Sequence, residues 1–141
     1  MRSLRVLAIA AMSIFSPAMA VADMVAGPDL ARIVIIDGDT IALPGGERIR
    51  IQDIDAPETR KSRCEAELVL GLQAKARLAQ LLRAGPVEVK RSGQDYFRRT
   101  LALVLVDGES VGTTLMREGL ALPWKAGRKA RAGRIAKWCA P

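Results

Sequence analysis

Hydrophobic and polar positions follow two different periods along this chain, and the changes of period mark its elements. From Arg32 to Ile36 β-branched residues run together, a pattern suited to a strand. Asp37-Gly38-Asp39-Thr40 is a tight-turn signal that returns the chain into a second strand, Ile41 to Leu43. Pro44-Gly45-Gly46 makes another turn. Glu47 to Ile54 then reads as a third strand, with Ile49 and Ile51 on one face and Arg48, Arg50 and Gln52 on the other. Arg50 thus points away from the apolar face. Pro57 cannot donate to a central ladder, which predicts a loop over Asp55 to Arg63.

The period then changes. Leu68, Leu72, Ala76 and Ala79 recur at three- and four-residue steps, joined by Leu78, Leu81 and Leu82, and predict a helix from about Glu65 to Arg83 that Gly85-Pro86 stops. Val87 to Arg91 and Thr100 to Val106 read as two more strands. Thr113 to Glu118 reads as a short helix capped by Gly119, and a basic helix from Lys125 closes the chain. Five short strands, with a helix between the third and fourth and helices after the fifth, predict an α+β fold: a small closed five-stranded barrel of the OB type with three helices. No internal repeat and no second domain is visible, so residues 31 to 141 form a single domain.

Composition sharpens this picture at five points. The chain has 141 residues and half of them are apolar, enough for one modest core. Met1 to Ala20 has the form of a signal peptide: Arg2 and Arg5, an apolar run from Leu4 to Phe15, and the small-x-small site Ala18-Met19-Ala20. Export to the periplasm or the medium is therefore expected, and the run is too short to span a bilayer comfortably. Residues 21 to 30 follow as an irregular lead-in, broken by Gly27-Pro28. The formal charge of +7 is concentrated in the tail, where Lys125, Arg128, Lys129, Arg131, Arg134 and Lys137 stand without an acid. Read plainly the tail is a solvated helix with Ile135 and Trp138 packed inward; read electrostatically it draws in nucleic acid.

The fourth point is an absence: there is no histidine. That excludes Ser-His-Asp and Cys-His nucleophilic schemes and histidine-ligated zinc. The fifth is a pair of cysteines, Cys64 and Cys139, which in an exported protein are expected to be bonded.

Candidate chemistry gathers between Ile33 and Glu58. Asp37, Asp39, Asp55 and Glu58 stand at strand ends, with Arg50 on the strand between them. A carboxylate cluster suits a hard cation and a neighbouring guanidinium suits a phosphate, which together describe a phosphodiester site. Each residue alone has a plainer reading, Asp37-Gly38-Asp39 as a hairpin turn and Arg50 as a surface arginine. Geometry also sets a demand: counting outward from the Gly45 turn places Asp39 opposite Ile51 rather than Asp55, so the strands must coil or bulge to bring both aspartates together.

Four motifs in order, IDGDT, RIQDIDAPE, DYFRRTLA and MREGLA, with a long helix between the second and third, resemble the thermonuclease (staphylococcal-type nuclease) family over Ala31 to Trp124. The resemblance implies that Asp39, Asp55 and the backbone carbonyl of Ala56 bind calcium, with Asp37 and Thr40 as supporting partners of those ligands. It implies that Glu58 orients or deprotonates the attacking water and that Arg50 and Arg99 grip the phosphate. Thr100-Leu101-Ala102 identifies Arg99, rather than Arg98, as the match. Two positions depart from the family pattern: Phe97 replaces a tyrosine and Arg98 a glycine. Tyr96 and Phe97 remain candidates for packing against a base or sugar, and Trp124 for the core or the groove rim.

The implied activity is an exported, calcium-dependent nuclease that cuts DNA and RNA with little base specificity and favours single strands. It would work as a monomer without a stable protein partner. The rival readings are a barrel that binds nucleic acid without cutting it and a structural calcium-binding module of the envelope.

Overall fold

A computed structural model of the chain describes residues 23–25 and 27–140. The expected signal peptide, Met1 to Ala20, lies outside the described residues. Where an irregular lead-in is expected, the chain forms a short strand, β1 (Asp23–Val25), and a 3-10 helix over Gly27–Arg32. Tertiary pairing supplies what local pattern lacks here, because β1 lies antiparallel to β6 (Val87–Gln94).

The Gly38-Asp39 turn joins β2 (Val34–Asp37) to β3 (Thr40–Ala42) in an antiparallel hairpin. Glycine is required at its tip. A Cβ on Gly38 would lie 2.6 Å from the Ala74 Cβ and 2.8 Å from the Ala56 Cβ, so only a bare backbone lets the turn press against both. That close approach seats Asp39 beside the 55–58 loop.

The strand predicted from Glu47 to Ile54 is two strands. β4 (Arg48–Ile51) pairs with β3, then Asp53 takes a positive φ of 65° and swings β5 (Ile54–Asp55) out of the main sheet. β5 pairs instead with β9 (Leu122–Pro123), and the Trp124 N–H donates to the Asp53 carbonyl at 2.8 Å. This kink meets the demand the register imposes. The Asp39 carbonyl accepts from the Ile51 N–H at 2.8 Å, so Asp39 does stand opposite Ile51, and the turn at Asp53 carries Asp55 round to it.

β4 also lies parallel to β7 (Thr100–Val106), with Arg50 level with Leu101. Arg99, one step before β7, therefore falls on the Arg50 face, because alternate residues share a face. The main sheet runs β1-β6-β7-β4-β3-β2, with β8 (Glu109–Ser110) paired to β7. It does not close, which corrects the expectation of a closed barrel. β1 covers the outer edge of β6, while β2 at the other end packs against a helix, so the two edges never meet.

That helix is α1 (Glu65–Arg83). Its buried stripe is Glu67, Gly71, Ala74, Leu78 and Leu82 rather than the Leu68-Leu72-Ala76 line, and Leu72 stands 52 % exposed. The difference has a local cause. Close contact with the Gly38 turn and with Pro57 selects the small face of the helix: a Cβ on Gly71 would lie 2.8 Å from the Pro57 carbonyl oxygen. α2 (Val111–Arg117) ends in a Schellman cap: the Gly119 N–H reaches the Met116 carbonyl at 3.1 Å and the Leu120 N–H the Leu115 carbonyl at 2.8 Å.

α3 (Arg128–Trp138) is the predicted basic helix, and Trp138 is buried. Cys139, just past its end, is bonded to Cys64 at the start of α1, with Cα atoms 5.9 Å apart and a separation of 75 positions in sequence. Replacing both cysteines by serine is expected to lower stability by about 4 kcal/mol in urea unfolding, since a loop of that length is freed in the unfolded chain. A loss below about 1 kcal/mol would mean that α3 is held by its side chains alone.

Candidate active site

The Gly38 turn, the Asp53 kink, the start of β7 and α3 meet around one cleft of about 1070 Å³. Its floor is acidic. Asp39 is buried by its neighbours: Oδ1 accepts from the Thr40 hydroxyl at 2.9 Å and Oδ2 from the Ala56 N–H at 2.7 Å. Burial pushes the Asp39 carboxyl above its ordinary range; Arg50 and the two hydrogen bonds pull it down, and Asp55 adds to the rise.

Arg50 joins the two aspartates. Its Nη2 lies 3.3 Å from Asp39 Oδ2 and 2.9 Å from Asp55 Oδ1, while its Nη1 donates to the carbonyls of Ile51 at 2.8 Å and Ile54 at 2.9 Å. The guanidinium therefore ties the kink between β4 and β5 to the carboxylates on either side of it. It is buried, not on the surface.

Glu58 lies half-buried at the edge of this floor, among the cleft residues. Desolvation raises its carboxyl above the ordinary glutamate range, helped by Asp37, Asp39 and Asp55 and opposed by Arg63. Asp37 accepts a hydrogen bond from the Thr59 hydroxyl, so the Gly38 turn and the 58–63 loop are linked from below.

Arg99 occupies the other wall. Its Nε and Nη2 each lie 2.7 Å from Asp95 Oδ2, its Nη1 lies 3.4 Å from the Thr40 hydroxyl, and its guanidinium carbon sits 5.5 Å from the centre of the Phe97 ring. Thr40 thus stands between Arg99 and Asp39. Arg98, in the place of a glycine, accepts a positive φ of 61°, a strained conformation held by the Arg98 N–H to Asp95 carbonyl bond at 3.0 Å. Tyr96 and Phe97 project from this turn, 94 % and 74 % exposed, and Trp124 is a further exposed aromatic lining the cleft.

Asp39 and Asp55 bring carboxylate oxygens to the floor on either side of the Arg50 guanidinium, and oxygen donors of this kind suit a hard cation such as calcium, whose six to eight ligands water can complete. Asp39, Asp55 and Glu58 are spread wider than a tight three-carboxylate cage. Among the described residues the only grouping of three ligand atoms within 4.8 Å is Cys64, Glu67 and Cys139, and its two sulfurs are bonded to each other.

Three residues that the sequence reading left out hold this site. Glu67, fully buried, accepts from the Arg63 N–H and the Arg63 guanidinium, both at 2.6 Å, and from the Glu58 N–H at 3.3 Å. Its signal was its place three residues after Cys64, the third helical position where an acid reaches back to the preceding loop. Thr59 had no signal beyond its neighbour Glu58. Arg134 was counted with the solvated tail. Its Nε lies 2.7 Å from Asp55 Oδ2, and its signal was the four-residue step to the inward-facing Trp138.

Comparison with known proteins identifies a family. Residues 48–137 match the model of a family described as staphylococcal nuclease homologue. Arg50, Asp55, Glu58, Arg99 and Arg134 lie within that span. The chain is 38 % identical over 92 residues to Endonuclease YncB of Bacillus subtilis, covering 61 % of this chain and 43 % of that protein. It is 37 % identical over 92 residues to the SPbeta prophage-derived endonuclease YokF of the same organism, covering 61 % and 31 %. An uncharacterized endonuclease of Haemophilus influenzae is 30 % identical over 97 residues, covering 66 % and 51 %. The aligned part thus spans about half or less of each of these relatives.

Proposed function

The chain belongs to the staphylococcal nuclease homologue family, and from that premise we propose that it is an exported, calcium-dependent nuclease hydrolysing phosphodiester bonds in DNA and RNA. The observation that carries this reading is the single Arg50 nitrogen held between the carboxylates of Asp39 and Asp55, in a cleft that Glu58 and Arg99 also line. Export is supported by the leader pattern and by the Cys64–Cys139 bond, which belongs to an oxidising compartment.

Each residue has a role its position allows. Asp39, Asp55 and the Ala56 carbonyl would hold calcium, which when bound neutralises charge on the non-bridging phosphate oxygens. Arg50 and Arg99, from adjacent strands, present fixed donors to those oxygens as charge grows on them in the transition state. Thr40 keeps Asp39 and Arg99 in register. Glu58 orients a water and accepts its proton, and a carboxyl raised towards neutrality is the stronger base for that step. Tyr96, Phe97 and Trp124 offer stacking faces to bases of any kind, which favours unpaired strands and gives little base specificity.

The test is release of acid-soluble nucleotides from DNA and from RNA in calcium, and its loss with chelator. Calcium is also expected to raise the melting temperature by roughly 5 to 10 °C at a concentration a hundred times its Kd. The pH dependence has a definite sign. Asp39 and Glu58 have raised pKa values, so ionising them works against folding at neutral pH, and this penalty disappears as pH falls through those values and the ordinary carboxylate range. The calcium-induced rise in melting temperature should therefore shrink as pH falls. A pH-independent rise, or none, would count against these carboxylates as ligands.

A further inference from the structure

Asp39 and Asp55 are held in different ways. Asp39 is locked by its own turn and by the Ala56 backbone. Asp55 sits on a two-residue strand paired only with β9, its side chain is 23 % exposed, and among the described residues its carboxylate accepts from guanidinium groups and from no backbone N–H. Its carboxylate meets two guanidinium groups instead, Arg50 Nη2 at Oδ1 and Arg134 Nε at Oδ2. We propose that Arg134 is a positioning residue for Asp55, fixing the orientation in which that carboxylate receives the divalent ion; the inference rests on the calcium-nuclease reading above.

A carboxylate torsion is broad when nothing holds it. Donors on both oxygens remove that freedom and still leave each oxygen a second lone pair for a cation. Arg50 alone does not do this, because it touches only Oδ1 and divides its Nη2 with Asp39.

Arg134 is itself held for the task. Its Nη1 donates to the Lys125 carbonyl at 3.0 Å and its side chain is 9 % exposed, whereas Arg128, Lys129, Arg131 and Lys137 on the same helix are exposed. One turn further on, Trp138 is buried, and Cys139 is bonded to Cys64. Of the six tail cations only this one is turned inward. Burying it requires a carboxylate partner, since an unpaired buried charge is strongly unfavourable.

Calorimetric titration of calcium into the full chain separates the possibilities. Loss of a group that orients a metal ligand typically weakens binding ten- to a hundredfold, so Arg134→Met should raise the calcium Kd about tenfold or more. The same variant should lower kcat at limiting calcium with little change in KM for DNA. Arg134→Lys, which keeps the charge without the fork, should recover part of the affinity, and Arg128→Met should leave it unchanged. A calcium Kd for Arg134→Met equal to wild type overturns the proposal. So does a tighter one, because Arg134 would then be only a competing cation. If Arg134→Met does not fold, Arg134→Lys with wild-type Kd and kcat at limiting calcium overturns it. A wild-type chain that takes up no calcium defeats both this proposal and the reading beneath it, whereas equal binding by wild type and variant defeats this one alone.

Discussion

Glu58→Gln is expected to lower kcat for DNA cleavage by roughly a hundredfold to ten-thousandfold, the range typical of losing a positioned base, while binding of a nucleoside diphosphate persists. Glutamine has the shape of glutamate but cannot accept a proton from water. The environment of Glu58 makes this loss specific. The side chain is half-buried, and desolvation with Asp37, Asp39 and Asp55 holds its carboxyl above the ordinary value of 4.5. The Glu58 N–H is separately fixed by Glu67, so the substitution leaves the loop in place. Single-turnover assays and nucleotide titration of the same preparation check the split. Normal turnover in the variant would remove Glu58 from the chemistry.

Arg50→Gln is expected to act on both rate and stability. Loss of one fixed donor to a developing oxyanion typically lowers kcat by about a hundredfold to a thousandfold. Here the same substitution also deprives Asp39 and Asp55 of a shared cation and frees the Ile51 and Ile54 carbonyls at the β4–β5 kink. Removing one partner of a buried ion pair destabilises by about 3 to 5 kcal/mol, and Asp39 is deep enough for that range to apply. The two effects can be told apart with calcium. The ion would replace the missing positive charge, so stability should recover on adding calcium by more than in wild type, whereas the rate should not. Arg50→Lys should retain more stability than Arg50→Gln yet lose most of the rate, because an ammonium cannot serve Asp39, Asp55 and two carbonyls at once. A variant with wild-type kcat would dismiss Arg50 from catalysis.

What could be read in advance divides by the range of the forces involved. Ile49 and Ile51 buried with Arg50 turned the other way is a matter of strand alternation. The length of α1 and the Gly119 cap follow equally from local geometry. Register was half legible: the Gly45 turn set Asp39 opposite Ile51, and the structure keeps that pairing. The left-handed Asp53 that resolves the difficulty had no marker, because an aspartate there reads like any strand-end polar residue.

The buried face of α1 was displaced for a related reason. Periodicity finds the largest apolar residues, but the Gly38 turn and Pro57 press so closely on the helix that they select Gly71 and Ala74, and Leu72 is left in solvent. The closed barrel failed because closure depends on whether two edge strands meet. Here β1 and α1 take up those edges first.

By itself the sequence determined the order of the elements, the absence of imidazole chemistry, and the gathering of acids around an arginine, since each depends on residue type and on spacings of a few positions. Only the tertiary structure decided which charges face inward. Arg134 and Asp55 are 79 positions apart, and Arg134 stands among five other tail cations, two of them arginines. Whether a guanidinium is solvated or buried is settled by the carboxylate that the fold sets before it. That distance-dependent balance of desolvation against pairing leaves no periodic trace in the chain.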